Sequence, residues 1–252
     1  MALNCDIETG TCSVGDLTPK QPQQAKEYLH DMALIYIGDP MCSWCWGSSN
    51  VVKDARTSAL EKGIQFSAIV GGLRPGGGDE WNETLKRFLR KEWANIQQAT
   101  EQPFSFKILD REEFNYDTEP SCRAVVVARD LWRGIDDNDE KLLEFFSAIQ
   151  HKFYVGGEDP AALDFYQSIC IEHHIDFEKF SQLFESEVAK NKTHEEFLLN
   201  RSWNIKGFPS FALRVGNQVT PIGSGYMQIE TINQAIETAI SKTAISKIEQ
   251  LK

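Results

Sequence analysis

Apolar positions change their period along this chain, and the changes divide it. Ala33 to Ile37 is a continuous apolar run, short enough to predict a buried strand, here bounded as 33–38. From Trp46 to Lys62 the apolar residues fall at helical spacing, and Gly63 is placed to end that helix as a C-cap. Ile64 to Val70 returns to alternating, β-branched character and predicts a second strand. A strand, a helix and a strand with short joints predict a right-handed βαβ unit with parallel strands. After Gly71-Gly72 and the loop Pro75-Gly76-Gly77-Gly78 the period turns helical. Segments 79–99, 119–133, 139–153, 160–173, 176–188 and 193–202 each carry apolar residues at i, i+3 and i+4. Pro103, Gly134, Gly156-Gly157 and Pro160 separate some of them. Strand character resumes at Phe208 to Leu213 and, after the turn Val215-Gly216-Asn217, at Gln218 to Ile222. An amphipathic stretch from Ile229 to about Ile248 predicts a closing helix.

The order βαβ, helical block, ββα predicts an α/β domain split by an insertion. Residues 28–73 and 203–252 each carry half of one four-stranded sheet, and neither half buries its faces alone. Residues 74–202 form the all-helical insert. Residues 1–27 are polar, rich in Gly, Pro, Gln and Thr, and without period, which predicts a flexible tail. The length of 252 residues is enough for a sizeable core, and 41% hydrophobic with 25% charged residues is ordinary for a globular chain. A net charge of −11 repels phosphate and argues against nucleic-acid or anionic-membrane partners. No stretch approaches the ~18 apolar residues of a membrane span. The first residues have neither a basic region nor an apolar core of a secretory signal, so the expected location is the cytoplasm. There, three structural disulfides from the six cysteines are not expected, and Cys42 with Cys45 suits a cycling pair better than a staple.

Candidate chemistry is concentrated in Cys42-Ser43-Trp44-Cys45, a CxxC pair at the junction of the first strand and its helix. Two cysteines so spaced can close a disulfide within one helical turn. The first sulfur would lie at the helix's positive end, where unpaired N–H groups favour thiolate over thiol. Cys42 is expected to be the exposed nucleophile and Cys45 the resolving thiol. A zinc site is the weaker alternative, because no second CxxC follows and the nearest histidine, His30, lies upstream of the strand. The second element is Gly207-Phe208-Pro209-Ser210-Phe211. A proline cannot donate to a sheet ladder, so Pro209 belongs at a strand start or edge. A cis bond there would turn the Phe208 backbone outward to pair with an extended peptide.

These two motifs, with Gly38-Asp39-Pro40-Met41 leading into the cysteines and Trp46-Gly47 following, resemble the DsbA-like branch of the thioredoxin superfamily. The nearest likeness is to its cytosolic, disulfide-isomerase-like members. The resemblance covers roughly residues 30 to 245 in element order. It implies a thioredoxin-like fold with a large helical insertion and thiol–disulfide exchange on protein or peptide thiols and disulfides. It also implies catalytic Cys42 and Cys45, and substrate contacts at Ser43, Trp44, Phe208 and Pro209, with Trp44 as an exposed apolar rim. No cofactor or metal is implied, Pro209 keeping metal ions from the two sulfurs. Two departures stand out. Ser43-Trp44 stands where the family's periplasmic oxidant carries a histidine between its cysteines, which implies a less oxidising couple. Tyr36 stands where relatives often hold a buried carboxylate, with Asp39 nearer the motif in a loop. A rival within the superfamily is a glutathione-dependent transferase or chromene-carboxylate isomerase of the kappa-class branch. Such relatives usually keep serine where Cys42 stands, and glutathione would then be the thiol partner. A non-catalytic module using the helical insert to hold a partner is the other rival.

The remaining candidates have plainer readings. Cys5 and Cys12 could form a second redox or metal-binding pair feeding Cys42–Cys45. A flexible tail does not fix thiol geometry, so incidental exposed thiols are preferred. Cys122, after Pro120, is expected to be a packed helix cysteine, and Trp46 a core residue. Cys170 with His173 and His174 is unremarkable for a helix. Glycines 71, 72, 76, 77 and 78 make no phosphate loop, because no GK[ST] follows.

Overall fold

The structure is a computed structural model that describes residues 32–135 and 138–242 with their side chains, and 4–6, 11–13 and 243–250 as backbone elements. Seven strands are described: β1 (Asn4–Asp6), β2 (Thr11–Ser13), β3 (Met32–Gly38), β4 (Gln65–Val70), β5 (Gly207–Phe208), β6 (Ser210–Val215) and β7 (Gln218–Ser224). Helices α1 (Ser43–Gly47) and α2 (Ser49–Glu61) lie between β3 and β4. The insert holds α3 (Glu83–Thr100), α4 (Glu119–Leu131), α5 (Asn138–His151), α6 (Phe165–Glu172), α7 (Phe177–Phe184) and α8 (Glu187–Ser202). Helix α9 (Ile229–Gln250) closes the described chain.

The main sheet has the order β4-β3-β6-β7, with β3 parallel to β4 and antiparallel to β6, and β6 antiparallel to β7. It is the α/β architecture with a helical insertion expected above. β3 is central and buried on both faces, which explains its unbroken apolar run. Leu34 and Tyr36 join one core with Val52 and Ala55 of α2, Phe146 of α5 and Ile232 of α9. Ile35 and Ile37 join the other, with Cys42, Trp93 and Phe153.

Local chemistry accounts for where the elements start and stop. Gly63 takes φ 74° just past α2, and the Ile64 amide donates to the Ala59 carbonyl at 2.9 Å. The helix expected over 46–62 is in fact two, parted at Ser48 (φ −90°, ψ 0°). A Cβ on Gly47 would come within 2.9 Å of Ile96, so the bend brings the bare backbone of α1 onto α3. The period expected from 79 becomes helix only after Asn82, whose side chain accepts from the amides of Thr84 and Leu85 at 3.1 Å. The segment 176–188 is split by Ser186, which caps α8 through the Ala189 amide at 3.2 Å.

Two findings differ from expectation near the carboxyl-terminal motif. Pro209 divides the single strand expected over 208–213: β6 joins the main sheet, whereas β5 pairs elsewhere. Its partner is β2, in a separate three-stranded sheet of order β1-β2-β5. β1 and β2 both fall inside the segment expected to be a flexible tail, whose remaining residues lie outside the described ones. Among the described residues no helix is long and apolar enough to cross a membrane.

Candidate active site

Cys42 caps α1 with extended backbone (φ −87°, ψ 116°), its amide donating to the Asp39 carbonyl at 3.0 Å. Its own carbonyl accepts the Trp46 amide at 3.0 Å, which starts the helix. One turn on, the Cys45 sulfur accepts the Asp39 amide at 3.5 Å and lies close to the Cys42 thiol. The two are separate thiols. The Cys42 thiol donates to the Phe208 carbonyl at 3.5 Å, across 166 residues of sequence. The βαβ half and the ββα half of the sheet therefore meet at this sulfur.

The strand carrying that carbonyl is held from several sides. Ser210 Oγ donates to the Gly207 carbonyl at 2.7 Å, and the Gly225 amide donates to the Pro209 carbonyl at 2.7 Å. The Phe208 ring lies against Gly71, where a Cβ would approach it to 2.5 Å. The Phe208–Pro209 peptide is cis. β5 pairs antiparallel with β2, Cys12 standing opposite Phe208 and Ser13 opposite Gly207.

Burial corrects the expected picture of the cysteines. Cys42 has no exposed surface, and Met41 through Gly47 are all buried. Ionising a sulfur there takes charge out of water, so burial pushes the Cys42 thiol well above its ordinary range, and the neighbouring Cys45 sulfur adds to the rise. The amide of Cys45 at the helix start pulls the other way and is outweighed. Desolvation beats the helix terminus, and in this conformation Cys42 is a thiol rather than an exposed thiolate. Trp44 is likewise no exposed rim: it is 5% exposed and its ring lies 5.9 Å from Tyr226. Ser43 is buried beside it. Trp46 is the core residue expected, its indole N–H donating to the Pro103 carbonyl at 3.0 Å.

Asp39 is the centre of a buried polar cluster that its loop position did not reveal. It has no exposed surface. Its carboxylate accepts from the Met41 amide at 2.8 Å, the Leu73 amide at 2.7 Å and the Cys122 thiol at 3.3 Å. Burial pushes the carboxyl up, and these donors together with Thr118 hold it partly down. Cys122 is packed, as expected, yet also touches this carboxylate, and burial raises its thiol well above the ordinary range. The Tyr36 hydroxyl reaches Cys45, and the Tyr116 hydroxyl donates to the Met41 carbonyl at 2.8 Å. Pro120 marked Cys122 as lying in the first turn of a helix, but nothing in the sequence placed that helix beside the motif. Cys170 is buried, and no group of three His, Cys, Asp or Glu among the described residues could hold a metal ion.

No protein-family model and no curated protein sequence matches the chain at a significant level. Solved structures do. A candidate protein disulfide isomerase from Nitrosomonas europaea is 32% identical, with a TM-score of 0.73 over 84% of this chain and 99% of that one. The cytosolic disulfide reductase DsbM from Pseudomonas aeruginosa is 24% identical, with a TM-score of 0.65 over 83% of this chain and 98% of its own. That reductase is also solved with GSH. A 2-hydroxychromene-2-carboxylate isomerase shares the fold at 10% identity, with a TM-score of 0.54 over 86% and 98% of the two chains. With the split sheet, the helical insert and a CxxC facing a short strand ahead of a proline, the chain belongs to the DsbA-like oxidoreductases of the thioredoxin superfamily.

Proposed function

We propose that this protein catalyses thiol–disulfide exchange on protein or peptide disulfides, with Cys42 as nucleophile and Cys45 as resolving thiol. One observation carries this above the others: the Cys42 sulfur lies 3.5 Å from the carbonyl of Phe208, on a two-residue strand that pairs through its backbone. An extended substrate that takes this pairing sets its disulfide beside Cys42. The Cys42 thiolate attacks one substrate sulfur, and the other sulfur leaves as a thiolate that takes up a proton. Cys45 then attacks Cys42, releasing the second substrate thiol and closing Cys42–Cys45. The Asp39 amide donates to the Cys45 sulfur at 3.5 Å and helps hold it beside Cys42.

The buried, protonated Cys42 belongs to a closed state. Exchange begins when the segment over the sulfur moves and water or substrate reaches it. In the cytoplasm, where thiols are kept reduced, the pair runs as a reductase or isomerase and is returned to the dithiol by an external thiol such as glutathione. Ser43 and Trp44 contact substrate only in the open state. A glutathione-dependent transferase or isomerase is less well supported, since Cys45 has no part in that chemistry.

The test is a Cys45→Ser variant used to trap mixed disulfides in cells. Peptide-bearing partners on Cys42 are the expected result. Recovery of low-molecular-weight thiols alone would replace protein exchange with the glutathione route.

A further inference from the structure

Cys5, Cys12 and Phe208 stand in one row across the three-stranded sheet, Cys5 opposite Cys12 and Cys12 opposite Phe208. The Phe208 carbonyl in turn accepts from the Cys42 thiol at 3.5 Å. Directly opposed residues of an antiparallel pair share one face and have Cα atoms about 4.5 or 5.5 Å apart, depending on which kind of pair they form. Both separations fall within the roughly 4.4–6.8 Å that a disulfide spans. The register thus supplies for Cys5 and Cys12 the fixed geometry that a structureless tail would lack. The second observation lies across β5. The edge that an extended substrate would take is occupied by β2, a strand of this same chain that carries a cysteine at the Phe208 position. Cys42 is fully buried in that arrangement.

We propose that Cys5 and Cys12 form a second redox pair that exchanges electrons with Cys42–Cys45 inside one molecule. This rests on Cys42–Cys45 being the exchange pair. After a turnover Cys42–Cys45 is a disulfide and Cys5 and Cys12 are thiols. The Cys12 thiolate attacks the Cys42 sulfur, the Cys42–Cys45 bond breaks, and Cys45 leaves as a thiolate and takes up a proton. The Cys5 thiolate then attacks the Cys12 sulfur of the Cys12–Cys42 bond, closes Cys5–Cys12 and releases Cys42, which is protonated. Two thiols are oxidised and two sulfurs reduced, with no outside reagent. The row ends at β1, so the Cys5–Cys12 disulfide is the bond that an external thiol afterwards reduces.

The decisive experiment uses the full-length chain. In the Cys5→Ser/Cys45→Ser variant, Cys12 and Cys42 keep their place but lose both resolving thiols. Brief diamide treatment of the reduced variant is expected to give a monomer in which non-reducing peptide mapping finds a Cys12–Cys42 disulfide in most molecules. Cys42 recovered only as free thiol or in intermolecular dimers would overturn the relay. A second measurement avoids that variant: the reduced wild-type chain is expected to consume two equivalents of a peptide disulfide, and the Cys5→Ser/Cys12→Ser chain one. Consumption of one equivalent by wild type also overturns it. Cys42→Ser separates the two claims. It is expected to consume none; one equivalent consumed by Cys42→Ser would mean that Cys5 and Cys12 react directly and would overturn the relay, whereas no consumption by Cys5→Ser/Cys12→Ser would sink the proposed function.

Discussion

Two strand edges in this molecule are closed in different ways. The outer edge of β4 is sealed by side chains from the insert: Glu196 accepts the Val70 amide at 2.8 Å, Asn200 donates to the Val70 carbonyl at 2.7 Å, and Arg129 donates to the Ala68 carbonyl at 2.8 Å. Glu196 and Arg129 also pair with each other while largely buried. The edge of β5 is covered instead by backbone, over two residues of β2. Side-chain caps fit one register and one sequence, and they satisfy groups that would otherwise face a low dielectric. Backbone pairing fits any extended segment. One edge is built for permanence, and the other can change its occupant without disturbing the core.

The largest expected effect tests the permanent edge. Glu196→Ala leaves Arg129 without its buried carboxylate and the Val70 amide without its acceptor. Breaking a buried pair in this way costs about 3–5 kcal/mol. Urea unfolding should show that loss, while disulfide exchange per folded molecule stays at the wild-type level. Loss of exchange at unchanged stability would mean that the β4 edge takes part in the chemistry, and the contrast would fail.

The exchangeable edge gives the next effect. Deleting residues 1–13 removes β1 and β2 and with them a few backbone hydrogen bonds, each with a net value of roughly 0.5–1.5 kcal/mol. Opening made easier by 1–2 kcal/mol corresponds to about 5–30-fold faster reaction at a protected group. Iodoacetamide labelling of Cys42 in the reduced chain should accelerate by that factor, with the unfolding midpoint of the core little changed. An unchanged labelling rate would show that β2 does not guard the sulfur.

A third effect follows from the raised Cys42 and Cys122 thiols. Each folded-state value lies above the unfolded one, so each thiol contributes stability that is complete below the unfolded value of about 8.5 and is lost as pH rises toward the folded one. Unfolding free energy should therefore fall above about pH 8.5, by up to ~1.4 kcal/mol per pH unit for each thiol. Cys42→Ser should remove one thiol's share of that slope. The same slope in Cys42→Ser and wild type would mean that Cys42 ionises as easily folded as unfolded.

The sequence displayed these two edges very unequally. β3, β4 and the helix start at Cys42 were legible because a doubly buried strand, a helical period and Gly63 leave marks within a few residues. Pro209 was legible because a missing N–H restricts its place in a sheet. β1 and β2 were not, since Asn4–Asp6 and Thr11–Ser13 are too short for a period of two to show, and they exist only by pairing with one another and with β5. The spacing of Cys5 and Cys12 around Gly10 was the one trace they left. The burial of Cys42 and Trp44, and the contact of Asp39 with Cys122 across 83 residues, arise from long-range packing that no local pattern carries.

The smallest expected effect compares two indoles that leave α1 toward different regions. Trp46 ties the helix to the insert through Pro103 and stacks at 6.5 Å on Tyr154. Trp44 lies by Tyr226, past the end of β7, and its buried indole N–H has no hydrogen-bond partner among the described residues. An unpaired buried donor carries a penalty of about 1–3 kcal/mol. Trp44→Phe relieves that penalty while giving up part of a ring's buried area, and the two offset. The net change in unfolding free energy should stay within about 1 kcal/mol. Trp46→Phe loses the same area and also a made hydrogen bond, so it should be more destabilising by about 1 kcal/mol or more. Equal losses from the two variants would mean that Trp44 is anchored as firmly as Trp46. The side of α1 away from the insert would then be as fixed as the side against it, with little freedom to open for substrate.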